Sequence, residues 1–282
     1  MGEPILHQQL DQLDRDVGAR AAGAQPLRRA LHAARKVPEV TIFFWIIKLL
    51  TTGMGETTSD YLVFHIDPYL AVAIGGIGLA AALLLQLIVR RYVAWIYWLA
   101  VVMVAIFGTM AADVVHIVLG VPYLDSSAFF AAVLTIIFVV WYATEKTLSI
   151  HSIYTLRREL LYWAAIMATF ALGTAVGDMT ASTMGLGYFA SGVLFAALFA
   201  LPAVGYWLFR LNAILAFWFA YVMTRPLGAS FADWLGKERS FSGLGLGTGL
   251  ISLILAVVII GFVGYLTITR ADVKGATTNP RG

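Results

Sequence analysis

The sequence predicts an all-α polytopic membrane protein: eight transmembrane helices, built as four parallel two-helix repeats in a pseudo-fourfold arrangement. Three observations predict it. Of the 282 residues, 60% are hydrophobic and only 12% charged, about half the charged fraction of a soluble chain, and the mean hydropathy is +0.83. Eight apolar stretches follow one another with short connections. One pattern is also written four times. A Trp is followed by Gly ten residues later and Asp fifteen residues later, as Trp45–Gly55–Asp60, Trp98–Gly108–Asp113, Trp163–Gly173–Asp178 and Trp218–Gly228–Asp233. An aromatic residue precedes each Trp (Phe44, Tyr97, Tyr162, Phe217). Each unit is about two membrane helices long.

In chain order, residues 1–38 form a polar, mixed-charge tail. Leu6, Leu10, Leu13 and Val17 share one helical face there, which predicts a short amphipathic helix on the membrane surface or against a second copy of the chain. Early acids and the lack of an apolar core exclude a secretory signal. The membrane domain follows over 39–270, with repeats at 39–92, 93–155, 156–211 and 212–270. Its spans are expected at 40–64, 69–89, 93–120, 127–144, 159–184, 188–209, 212–235 and 244–268. Residues 271–282 form a second tail, and no length remains for a soluble domain.

The odd spans carry the Trp, Gly and Asp. The even spans open with small residues, such as Gly75, Gly76 and Gly78, or Ser191 and Gly192, which read as packing surfaces. Gly243–Gly249 is placed at the start of the eighth span with no preceding strand, which argues against a nucleotide loop. No cysteine is present, so disulfides and thiolate metal sites are excluded.

Charge placement predicts orientation. Fifteen of the nineteen Lys and Arg fall in the two tails and the even-to-odd connections, and the odd-to-even connections hold only Lys237 and Arg239. By the positive-inside rule both termini are cytosolic. All four repeats then enter the membrane in the same direction. Each Asp lies about 22 Å of helix beyond its Trp, in the outer half of the membrane. The Trp residues read as structural anchors at the cytosolic interface.

The intramembrane acids are the leading functional candidates. The residue after each repeated Gly lies one helical turn before the Asp, giving Glu56–Asp60, Thr109–Asp113, Thr174–Asp178 and Ala229–Asp233. Converging at the centre, these side chains supply five carboxylates and two hydroxyls. Such oxygen-rich surroundings suit a hard divalent cation (Mn²⁺, Mg²⁺ or Ca²⁺), Na⁺ or protons. His116, one turn after Asp113, tilts the choice toward Mn²⁺. Within the membrane only Lys48 and Arg225 are counted against five acids, so protons or a bound cation must neutralise the remainder. The competing reading makes the acids helix caps or internal polar ties.

Lys48 shares a stripe with Thr52 and Glu56. It pairs with a carboxylate, fills the site as a tethered counter-ion, or snorkels to the cytosolic face. Arg225 is an ion-pair partner for one Asp, and the following Pro226 is expected to kink or break its helix. Residues 142–163, rich in charge, form the longest cytosolic connection and read as a linker or a gate. No catalytic triad, glycosidase acid pair or zinc-protease motif is present, so no enzyme is expected. Nor is a nucleic-acid partner.

The segments KVPEVTIFFWIIKLL, GMGETTSD, TLSIHSI, LRRELLYW and FALGTAVGD resemble a bacterial integral membrane protein family built of four tandem two-helix repeats of unknown function. The resemblance covers residues 36–270. It implies an eight-span protein of the bacterial inner membrane and carries no activity with it. The residues themselves point to a cation transporter, exchanging a divalent ion such as Mn²⁺ against protons at Glu56, Asp60, Asp113, Asp178 and Asp233. Lys48, Thr52, Thr109, His116, Thr174 and Arg225 are accessory. The alternatives are a proton-coupled transporter of a small solute, and a non-transport scaffold or sensor in which the Asp set is a structural clasp.

Overall fold

The computed structural model describes residues 35–273. The amphipathic segment predicted over residues 6–17, and any pairing of copies through it, lie outside the described residues. The described chain forms eight long helices: α1 Ile42–His65, α2 Pro68–Ile88, α3 Ala94–Asp113, α4 Tyr123–Glu145, α5 Leu156–Asp178, α6 Gly187–Phe209, α7 Ala213–Gly236 and α8 Thr248–Thr269. No strand is present among the described residues.

Eight spans were expected, and seven of the helices are long and apolar enough to cross a membrane. The exception is α1, whose 24 residues include Lys48, Glu56 and Asp60. Lys48 and Glu56 are nevertheless buried inside the bundle. The helix boundaries use local signals. Asp67 caps α2 by accepting from the Leu70 amide, with Pro68 in the first turn. Thr155 caps α5, and Asn212 caps α7. The Gly-rich stretch before α8 is a loop rather than helix: Gly245 and Gly247 take positive φ and the helix begins at Thr248.

The odd helices touch in cyclic order, α1 to α3, α3 to α5, α5 to α7, and α7 back to α1. Each even helix lies outside them and packs chiefly on the odd helix of the next repeat: α2 on α3, α4 on α5, α6 on α7, and α8 on α1. The small residues of the even spans serve these contacts. Gly75 and Gly76 face Met110 and Phe107, Gly192 faces Phe231, and Gly249 faces Tyr61. The rest of each even helix is an apolar exposed surface; α8 buries only Ile251, Ile259 and Leu266.

The repeated Gly residues set the inner ring. A Cβ on Gly55 would lie 2.4 Å from Ala105 Cβ, and one on Gly108 would lie 2.8 Å from Phe170 Cβ. One on Gly173 would lie 2.4 Å from Arg225 Cγ, and one on Gly228 would lie 1.9 Å from Thr52 Oγ1. Every contact joins the Gly of one odd helix to the residue seven after the Trp of the next. Close backbone approach is therefore the physical reason for the repeated Gly.

The repeated aromatics form a second set of cyclic contacts: Phe44 with Trp98, Tyr97 with Trp163, Tyr162 with Trp218, and Phe217 with Trp45, at centroid separations of 5.6 to 6.4 Å. Trp98, Trp163 and Trp218 are only 1%, 5% and 4% exposed. This corrects the expectation of interfacial anchors, since these rings close an internal belt. In single-Trp chains reconstituted with brominated lipid, Trp207, which is 83% exposed, will be quenched strongly and Trp98 hardly at all. Comparable quenching of the two would contradict the internal belt.

The two ends of the described chain and the even-to-odd connections gather at one end of the bundle. The amide of Lys36 donates to Ile153 O, that of Tyr92 to Arg35 O, and that of Glu39 to Asp272 O. Lys36 and Val37 are buried there, and Lys36 Nζ meets Glu159 at 2.5 Å and Leu87 O at 3.0 Å. The connection before α5 is stapled, with Glu145 held by Arg157 and Arg158 and Leu148 O accepting from Trp218 Nε1.

Candidate functional site

A step of four residues keeps side chains on one helix face, and the inner face of each odd helix follows that step from the aromatic before the Trp to the Asp. The first four levels are buried: Phe44, Tyr97, Tyr162 and partly Phe217; Lys48, Val101, Ile166 and Tyr221; Thr52, Ala105, Phe170 and Arg225; then Glu56, Thr109, Thr174 and Ala229. The fifth level, Asp60, Asp113, Asp178 and Asp233, is buried only at Asp233. The polar centre is thus sealed from the chain-end side and opens toward the other end.

The Arg225 guanidinium reaches from the third level to the side chains of the fourth. Its Nη2 lies 2.5 Å from Glu56 Oε2 and 2.6 Å from both Thr109 Oγ1 and Thr174 Oγ1. Three predicted oxygen ligands from three helices therefore meet on one guanidinium nitrogen, and the fourth equivalent position, Ala229, is on Arg225's own helix. The Arg pairs with the Glu, not with an Asp as expected. Of the kink or break expected at Pro226, the break does not occur: α7 runs through it as one helix. The ring of Pro226 packs against Gly173 and Gly177, and Thr52 Oγ1 donates to Leu49 O and, across the helices, to Thr224 O at 3.2 Å.

Lys48 does not snorkel and meets no carboxylate. Its Nζ, buried and without a hydrogen-bond partner, stands 3.8 Å from the Phe170 ring centroid and 4.3 Å from that of Tyr221.

Beyond Arg225, carboxylate oxygens of Glu56, Asp60 and Asp233 lie within 4.8 Å of one another. Lys237 Nζ bridges Asp60 Oδ2 and Asp233 Oδ2 at 3.3 Å each, while Asp233 Oδ1 is buried without a hydrogen-bond partner. Burial works against the Lys237 charge, but Asp233, Asp60 and Glu56 outweigh it and hold the ammonium well above its usual value. A base raised in this way contributes stability that is full below about pH 10, its ordinary titration range, and lost as pH rises through the raised value. Lys237 was grouped with the loop charges from sequence. Its spacing of four from Asp233 was the available signal, and it adds a third cation to the charge balance.

Asp113 and Asp178 lie outside this close group and are half-buried. Each ends its α-helix and opens a π-helical turn, Val114–Val118 and Met179–Thr183. Such turns are frequent at functional sites. Gly120 and Gly185 follow at the same offset, both with positive φ. His116 does not join the carboxylates. Its Nδ1 meets Val121 O at 2.6 Å and its ring stacks on Tyr123. His65 is exposed, stacked on Tyr61.

The family described as Repeat of Unknown Function (DUF347) matches the chain four times, over residues 43–92, 96–147, 161–212 and 216–272. The chain belongs to that family. Each match spans one odd helix and the even helix after it, so the family unit carries one belt aromatic pair, one close-approach Gly and one inner Asp. No curated protein and no solved structure matches the chain.

Proposed function

We propose that this repeat protein transports a cation, a divalent ion such as Mn²⁺ exchanged against protons, at the carboxylates of Glu56, Asp60 and Asp233, with Asp113 and Asp178 on the approach. The observation that carries this reading is the trio of carboxylates within 4.8 Å, met by only two cations, Arg225 and Lys237, in an apolar bundle where ionisable groups are costly and usually functional. In this reading the protein is a multi-pass protein of the bacterial inner membrane with both termini cytosolic. Its four repeats run parallel about a pseudo-fourfold axis, consistent with the cyclic contacts of the Gly and aromatic sets.

Lys237 then acts as a tethered cation, spanning Asp60 and Asp233 until an ion displaces it. The partly exposed Asp level faces outward, and the levels of Arg225, Lys48 and the aromatic belt close the inner side. An ion reaching the cytosolic side needs those levels to part, as in alternating access between repeats. Protonation of the same carboxylates releases the ion and couples the two movements.

One observation favours a second reading. The Arg225–Glu56 and Lys237–Asp60 ion pairs already join α7 to α1, as a structural clasp in a scaffold or sensor requires. Thermal titration of the purified full chain with Mn²⁺, Mg²⁺, Ca²⁺, Zn²⁺ and Na⁺, from about pH 4, the ordinary carboxylate range, to about pH 8, separates the two. The transport reading expects selective stabilisation, about 2.7 kcal/mol at a hundredfold excess over Kd, weakening in acid and absent in Asp60→Asn and Glu56→Gln. Ion flux in liposomes should vanish in the same variants. Lack of any cation effect, with both variants merely less stable, would leave the clasp.

A further inference from the structure

The exchange at the carboxylates leaves one buried ionisable group without a part. Lys48 lies on the same stripe of α1 as Glu56, about 12 Å nearer the chain-end side, and is only 1% exposed. It shares its level with Val101, Ile166 and Tyr221, all buried, and the aromatic belt lies between that level and the chain ends.

Nothing around Lys48 suits an ammonium. Its Nζ meets two ring faces, those of Phe170 and Tyr221, and no hydrogen-bond acceptor. The charged side chain that acts on it is Arg225, of like sign, whose Nη2 is committed to Glu56. The other ionisable neighbours are hydroxyls. That of Tyr221 is buried without a partner, and those of Tyr97 and Tyr162 bond each other at 2.5 Å. The remaining helices packed on α1, α2 and α8, contain no charged residue.

Ring faces offset only a small part of the cost of burying an ammonium. An amine carries no such cost, and a buried charge without a partner gives way to its neutral form. Water reaching the same level reverses the balance, because a hydrated lysine is an ammonium throughout the physiological range. Charge on Lys48 and close packing of the inner levels therefore exclude each other.

We propose that Lys48 is the proton switch of the inner side, an amine while the belt and the second level are packed and an ammonium once they part. Each closure then expels one proton to water, and acid on that side holds the levels open. The step makes an N–H bond at Nζ on opening and breaks it on closing, with water as the partner. It rests on the transport reading only for the parting of the inner levels, and it is separate from the protons that compete with the ion at the carboxylates.

Two measurements on the full chain test it. With ¹⁵N at the lysine ζ position and the protein in lipid at about pH 7, the resonance missing from Lys48→Met should stand at the neutral-amine position. An ammonium signal there overturns the proposal, whether or not the protein transports anything. The chain has no cysteine, so Val101→Cys reports on the second level through a negatively charged methanethiosulfonate, with Ile166→Cys as an independent reporter. The labelling rate, divided by that of the same reporter in a Lys48→Met background to cancel the thiol's own titration, should rise up to tenfold for each pH unit lowered between about pH 8 and 6. A ratio that stays constant while both backgrounds are labelled overturns this proposal alone. No labelling of either reporter in either background means that the inner levels never part, and removes the transport reading with it.

Discussion

Arg225→Met alone will destabilise the protein by about 3–5 kcal/mol, because it leaves Glu56 buried without its countercharge. Arg225→Met combined with Glu56→Met will recover most of that loss, since a buried ion pair replaced by apolar groups is often neutral. Arg225 is fully buried, and its Nη2 holds Glu56, Thr109 and Thr174 together. Removing the guanidinium strands one carboxylate and two hydroxyls, while removing both charges strands only the hydroxyls, which retain their own helix carbonyls at Ala105 and Phe170. Unfolding of the wild type, the two single variants and the double variant in mixed detergent gives the coupling energy. Additive losses would show that the pair is not one unit.

Gly228→Val will destabilise by up to about 3 kcal/mol through overpacking, whereas Gly264→Ala will be neutral or slightly stabilising. The new Cβ at 228 would fall 1.9 Å from Thr52 Oγ1 and 2.8 Å from Leu49 O. The second of these is backbone and cannot turn aside, so α1 and α7 must separate. That separation also opens the carboxylate trio, since Glu56 and Asp60 belong to α1 and Asp233 to α7. At Gly264 nothing lies within 4 Å, and only the helix propensity gain of about 1 kcal/mol remains. Thermal unfolding of both variants checks the contrast. Equal effects at the two positions would mean that the repeated Gly is not a point of close approach.

Both predictions use residues that the repeat made visible for another reason. The Gly at the tenth position was noticeable by its fourfold recurrence, but its partner was not, because each contact crosses to the next repeat. Even the small residues of the even helices pack mainly on the following repeat, so a repeat read alone shows half of each interface. The Trp residues were misplaced for a related reason. Near a helix end Trp usually faces the headgroups, and only the neighbouring repeat's aromatic shows that here it faces inward. His116 was put among the ligands by its spacing of three from Asp113. The π-helical turn between them alters the facing of that helix end, and His116 is held by Val121 O instead.

What the sequence by itself determined is local: helices long enough for a bilayer, their caps, the four inner Asp, and the oxygen-bearing residue one turn before three of them. These follow from hydropathy, spacing and helix geometry, which need no partner. The tertiary structure alone decided which side chains meet. Glu56 and Arg225, 169 residues apart, are brought together because the first and last odd helices close the ring. That closure puts Asp60 and Asp233 in one group with Glu56, bridged by Lys237, and leaves Asp113 and Asp178 outside it. Four equivalent positions become inequivalent because one of the four helices supplies an arginine to the shared centre, and only the closed ring shows which acid it takes.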